Sequence, residues 1–233
     1  MLTAIIPVKA SSERLKNKNL HPFLDTTLYE HKLNQLRKVP FDRVVVSSED
    51  KEILKIAEDF GFLTHHRDPM YSTPNIPMSQ VYTYLASEVP GDEIALVNIT
   101  NPLVEAGHYT RAVDSWCTAS IDYDCLLSAY NVQKYLWKDS MPVNFDPFPH
   151  PRSQDLQGVC ALSFAINIAS KANVLKWGTF CGYQPYFFLL DRFESTKIDY
   201  IEDLKFCEMM YRKKLYGNYF GNRRSRVSRK SCG

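Results

Sequence analysis

Four cations crowd the loop that follows the first apolar run of the chain. Leu2 to Val8 is largely apolar, and beyond Pro7 the chain turns polar, with Lys9, Arg14, Lys16 and Lys18 set among Ser11, Ser12, Asn19 and a single acid, Glu13. Backbone N–H groups and small hydroxyls can approach phosphate oxygens while such cations neutralise their charge, so this composition suits a triphosphate. Far along the chain, Asp199 follows Lys197. It reads as an acid that favours the positive start of a C-terminal helix, and Asp203 reads as a first-turn acid of that helix. His65-His66 is a weak metal pair, because adjacent residues on a strand point to opposite faces.

These residues must be positioned by elements. Leu2–Val8 reads as a strand buried on both faces. Thr26 or Thr27 can cap a helix that Pro40 stops, with Leu28, Leu33 and Leu36 facing inward. A β-branched strand at 43–48 follows, then a helix opened by Ser48, with Ile53, Ile56, Ala57 and Phe60 on one face and Gly61 at its end. A short strand from Phe62, a helix through Met78, Val81, Tyr82 and Leu85, a buried strand from Glu93 to Ile99 and a helix over about 105–117 complete the first half. Strands alternating with helices imply βαβ units and a mostly parallel sheet, whose ligands sit at the carboxyl ends of the strands. The loops after Val8, Val46 and Ile99 are such ends. Strands are expected over 124–130, 159–168 and 186–190, and a helix over 201–216. The intervening 131–158 is rich in Pro and aromatics and reads as a small β-excursion, for which a dimer contact is the simplest use.

The chain has 233 residues, 45% of them apolar, which suits one domain, here 1–218, followed by a basic tail at 219–233. The formal charge is +2, yet eight cations and no acid lie between Arg212 and Gly233, which leaves the remainder at −6. An acidic body argues against a nucleic-acid-binding surface. The six cysteines form no C-x-x-C pair, as expected of incidental thiols in a reducing compartment. No apolar run reaches membrane-spanning length and no signal peptide opens the sequence, so a soluble, cytoplasmic protein is expected.

The motifs together resemble the sugar cytidylyltransferases, which make CMP-acylneuraminate and CMP-3-deoxy-manno-octulosonate (CMP-Kdo). Ala10-Ser11-Ser12 with Arg14-Leu15 is similar to the CMP-Kdo type, and Lys18-Asn19-Leu20 to the acylneuraminate type. The run Phe41 to Asp50, Asn98-Ile99-Thr100-Asn101-Pro102-Leu103, Arg152-Ser153-Gln154-Asp155 and Lys197-Ile198-Asp199 follow in family order. The resemblance covers about residues 3–211. It implies a Rossmann-like nucleotide-diphospho-sugar transferase fold of class α/β, with helices on both faces of the sheet. It also implies transfer of CMP from CTP to a 2-keto sugar acid with loss of pyrophosphate, and a homodimer joined through 131–158. By this likeness Lys9, Ser11, Ser12, Arg14 and Lys18 meet the triphosphate, and Asn19 and Arg67 the cytidine. Asn98, Thr100, Arg152 and Gln154 lie near the sugar acid, with Arg152 reaching the neighbouring subunit's site. Asp199 ligates Mg²⁺.

The sequence also departs from that family. No glycine precedes Gly61, Glu13 stands near the phosphates, Lys197 replaces the first Asp of Asp-Ile-Asp, and Ser163-Phe164-Ala165 replaces Asn-Gly-Ala. Asn98 is shorter than the family's Gln, and Val104 replaces an Arg. A different sugar, a weaker metal site or lost activity would each follow. A catalytically degenerate relative that binds nucleotide or sugar as a regulator therefore stands as the alternative. A nucleotide-sugar-dependent glycosyltransferase is disfavoured, because the loop after Ile99 lacks an Asp-x-Asp.

Overall fold

The computed structural model describes residues 1–10, 12, 15, 17–156 and 158–212. Ser11, Glu13, Arg14, the tail at 219–233 and the end of the helix expected to reach 216 lie outside the described residues. Among the described residues, no helix is long and apolar enough to cross a membrane.

The centre is a sheet of seven strands: β1 (Leu2–Pro7), β2 (Arg43–Ser48), β3 (Leu63–His66), β4 (Glu93–Val97), β5 (Cys125–Asn131), β6 (Cys160–Ser170) and β7 (Pro185–Leu189). Their order is β7-β5-β6-β4-β1-β2-β3. β1 pairs in parallel with β2 and β4, while β6 runs antiparallel to both β4 and β5. The fold is therefore α/β with a mostly parallel sheet, and its central strands are the apolar, β-branched runs that burial on two faces requires.

Among the described residues, five α-helices lie between these strands, α1 (Leu28–Leu36), α2 (Lys51–Asp59), α3 (Met78–Glu88), α4 (Ala106–Ala119) and α5 (Lys171–Trp177), and α6 (Ile201–Arg212) follows the last of them. Alternation along β1 divides the core. Ala4, Ile6 and Val8 pack with Leu33 of α1, Ile53 of α2 and Ala112 of α4, whereas Ile5 packs with Leu85 of α3 and Val174 of α5. Helices thus cover both faces. A third cluster seats α6, through Leu204, Cys207 and Met210, against Leu28, Leu103 and Ile198.

Local chemistry sets the helix ends. Thr27 and Glu30 form a capping box at α1, which places the cap at the second of the two expected threonines. Asp50, not Ser48, caps α2, accepting from the N–H groups of Glu52 and Ile53; a carboxylate at that position also answers the helix dipole. α5 was not expected, although Ser170 caps its start and Gly178 ends it at φ +64°. The excursion holds a two-residue antiparallel ribbon, Trp137–Lys138 against Met141–Pro142. Its aromatics pack partly on one another, with the Phe145 ring 5.0 Å from Tyr135 and 5.6 Å from Trp137.

Candidate active site

The loop after β1 is closed by its own polar groups. Asn19, nearly buried, donates Nδ2 to the Lys9 carbonyl at 2.7 Å and so ties the two ends of the loop together. The turn before it passes through Asn17 at φ 52°. A residue other than glycine thus adopts the left-handed conformation in the described part of the loop, and asparagine is among the side chains that tolerate it. Lys9 and Lys18 are carried to one side by this closure.

Glu49 braces the same loop from below. Its carboxylate accepts from the Ala10 N–H at 2.9 Å, from Arg67 Nη2 at 2.7 Å and from Ser72 Oγ at 2.6 Å. Burial alone would raise this carboxyl, but the hydrogen bonds from Ser72, Arg67 and Ala10 outweigh it and bring the pKa down to about 2. Arg67, only 1% exposed, also donates to the Val8 carbonyl at 2.7 Å. Glu49 therefore links three segments around the loop, whereas the sequence offers it only as an acid near a helix N-terminus.

The third wall comes from the far end of the chain. The Ile198 N–H donates to the Thr100 carbonyl at 2.8 Å, and Lys18 Nζ donates to the Ile198 carbonyl at 2.9 Å. These bonds pin segment 197–199 against both the β4 exit and the basic loop. Asp203 fixes the turn that follows, accepting at 2.9 Å from the N–H groups of Asp199 and Tyr200. Its role is thus that of the first-turn acid of α6. Asp199 Oδ1 lies 3.5 Å from Lys18 Nζ and its Oδ2 lies 3.8 Å from Lys197 Nζ.

Together these segments enclose a cleft of about 590 Å³. Lys9, Ser12, Lys18, Asn19, Arg67, Asn98, Thr100 and Asp199 all border it, opposite an apolar wall that includes Ile76, Val81 and Leu85. Asn98 donates Nδ2 to the Phe164 carbonyl at 2.7 Å. Phe164 sits at φ 54°, where β6 breaks register between Leu162 and Asn167. This is the position of the departure from Asn-Gly-Ala, and the backbone there takes the conformation that glycine adopts most easily.

The remaining candidates stand elsewhere. Gln154 lines a second cavity, of about 610 Å³, with Tyr130, Lys134, Ser163, Arg192 and Thr196, and Lys197 borders both cavities. Arg152 borders neither; its exposed guanidinium pairs with Asp155, Nε to Oδ2, at 2.7 Å. Ser11 and Arg14 lie outside the described residues.

Two supporting residues escape sequence reasoning. Lys32 is fully buried in α1 and donates to the Asn101 carbonyl at 2.9 Å, the Val104 carbonyl at 3.0 Å and the Tyr109 hydroxyl at 2.8 Å. Burial drives its pKa well below the ordinary lysine value, opposed by Glu105. It shapes the loop after β4. His108 shares a capping box with Glu105 and meets Glu194 Oε1 at 2.6 Å, which holds the chain ahead of segment 197–199. In sequence, both read as ordinary helix-surface residues.

Among the described residues, no group of three or more His, Cys, Asp or Glu could hold a metal by itself. Mg²⁺ keeps several waters and is commonly bound through one or two carboxylates together with substrate phosphates. Asp199 is the carboxylate that borders the cleft, and it would hold such an ion where a triphosphate brings one.

A cleft built from a basic loop at the end of β1, an amide-bearing loop at the end of β4 and a carboxylate from a distant turn defines a nucleotide-handling α/β protein. The cytidylyltransferase family model matches residues 3–135, more than half of the chain, and the chain belongs to that family. It is 25% identical to N-acylneuraminate cytidylyltransferase A of Danio rerio, over 81% of this chain and 45% of that protein, so it spans less than half the length of that relative. It is also 25% identical to the pseudaminic acid cytidylyltransferase of Campylobacter jejuni, over 89% of this chain and 95% of the relative. Among solved structures, CMP:2-keto-3-deoxy-manno-octonic acid synthetase complexed with CTP superposes with a TM-score of 0.67 at 10% identity, covering 91% of this chain and 99% of that one. A cytidylyltransferase from Leptospira borgpetersenii gives 0.63 at 17% identity, covering 100% and 98%. These likenesses fix the fold as that of the nucleotidyltransferases.

Proposed function

We propose that this protein transfers CMP from CTP to a 2-keto sugar acid. The observation that carries the reading is the convergence of Lys9, Lys18 and Asp199 on one cleft that adjoins a second, cation-lined cavity at Lys197. The cleft holds CTP, with its triphosphate toward Lys9, Ser12 and Lys18, its cytidine toward Asn19 and Arg67, and its α-phosphate near Asp199. The acceptor lies toward Asn98 and Thr100 and extends into the second cavity, toward Gln154. Its hydroxyl oxygen attacks the α-phosphorus. A new P–O bond forms as the bond to the bridging oxygen breaks, pyrophosphate leaves with that electron pair, and the hydroxyl proton passes to solvent. Asp199 would hold a Mg²⁺ ion brought by the triphosphate, which when bound would supply charge neutralisation at the phosphates. Lys9 and Lys18 supply the rest as fixed ammonium groups, since such a displacement needs positioning and electrostatics more than covalent help.

The excursion supplies a homodimer contact in this reading. Trp137, Met141, Val143 and Phe148 are exposed on it, and Phe148 is 87% accessible. Arg152 would then act in the partner's site. A cytoplasmic location is part of this proposal. The test is pyrophosphate release with CTP, Mg²⁺ and a panel of N-acetylneuraminate, pseudaminate and Kdo. Release with at least one acid is expected. Tight CTP binding without release for any of them would leave the degenerate, nucleotide-binding alternative, which Lys197 beside Asp199 favours.

A further inference from the structure

Cations line both cavities and the junction between them, with Lys9 and Lys18 on the cleft, Lys134 and Arg192 on the second cavity and Lys197 on both. Asp199 is the one acid that borders the nucleotide cleft among the described residues, and it lies between Lys18 and Lys197, at 3.5 and 3.8 Å. Asp203, the acid of the second cavity, is committed to the backbone of the turn before α6. Two-metal transfer sites place their ions about 3.5–4 Å apart and hold them with shared carboxylates. Here the carboxylates for a second ion are missing among the described residues, and an ammonium group stands beside Asp199 instead.

We propose that Lys197 supplies, as a fixed side-chain charge, the cation that a second divalent ion would otherwise bring to the junction of the two cavities. The inference rests on the cytidylyl-transfer reading and deepens it. Lys197 borders both cavities, so one ammonium faces the anions on either side. The acceptor is a class of compound whose carboxylate sits on the carbon that bears the reacting hydroxyl. That carboxylate must approach an anionic α-phosphate, and a cation between the two offsets their repulsion. A lysine is a compact point charge and does this without needing ligands of its own. The bound nucleotide then brings a single divalent ion, the one held by Asp199.

The test counts ions and needs no acceptor. Mn²⁺ binding is measured by electron paramagnetic resonance on the full chain saturated with α,β-methylene-CTP, for the native protein, Lys197→Met and Lys197→Asp. One Mn²⁺ per chain is expected for the native protein and for Lys197→Met, and two for Lys197→Asp, which restores a carboxylate. The Lys197 side chain is 44% exposed, so these variants should fold; Lys197→Glu carries the same carboxylate if the aspartate variant does not. Two Mn²⁺ in the native protein, or one in the carboxylate variants, would overturn the inference while leaving nucleotide binding intact. Failure of the native protein to bind the nucleotide at all would overturn the transfer reading, and this inference with it.

Discussion

Glu49 shows how much of the site rests on one buried carboxylate. It holds Arg67, Ser72 and the Ala10 N–H at once, and removing it would leave a nearly buried guanidinium without its counter-charge. Breaking such a pair costs roughly 3–5 kcal/mol; Glu49→Ala should lose about that in urea unfolding and should also weaken CTP binding. The pH dependence follows from the depressed pKa. A carboxyl at about 2 in the folded state, below its ordinary 4.5, adds stability that is fully present above pH 4.5 and is lost as pH falls toward 2. Urea midpoints taken between pH 6 and pH 2.5 should fall more steeply for the native protein than for Glu49→Gln. At the phosphate wall, Lys9→Ala should weaken CTP binding about 10- to 100-fold by calorimetry, as loss of a charge-assisted contact does. Lys18→Ala should cost more, because Lys18 also anchors Ile198.

At the scale of elements, the signals that survive are periodic or local. The inner face of α2 is an i, i+3, i+4 pattern, and Ile53 and Ala57 are buried as that spacing requires. The capping box of α1 is likewise a contiguous motif. The α2 cap moved from Ser48 to Asp50 because both residues can cap and only the backbone decides between them. α5 is only seven residues long, too short for a periodic signature, although its cap and its glycine were in view. Lys32 could not be read at all. A lysine beside Leu33 looks solvated until the loop after β4 is seen to need donors for two carbonyls and a tyrosine hydroxyl. Lys32→Met should therefore be destabilising by roughly 1–3 kcal/mol, the cost of leaving buried acceptors unpaired. Chemical denaturation would measure it.

For the whole molecule, strand and helix alternation made the class legible, while the sheet order was not. Placing β6 antiparallel between β4 and β5 depends on contacts far apart in sequence. The same distance hid the architecture of the site. Lys9 and Asp199 lie at opposite ends of the chain and border one cleft because Thr100 and Lys18 both grip Ile198. The resemblance grouped Gln154 and Arg152 with Asn98, but the fold sets Gln154 in a second cavity and leaves Arg152 on the surface. A homodimer would bring Arg152 back to a site, and sedimentation should show a dimer that Trp137→Glu dissociates.

Joining of CMP to a sugar acid in the cleft can be followed by ³¹P NMR of a reaction containing CTP, Mg²⁺ and the acid panel. A new phosphodiester resonance with an equal amount of pyrophosphate is expected for at least one acid, and Lys18→Ala should abolish it. Unchanged CTP with every acid, or pyrophosphate accompanied only by free CMP, would rule the transfer out.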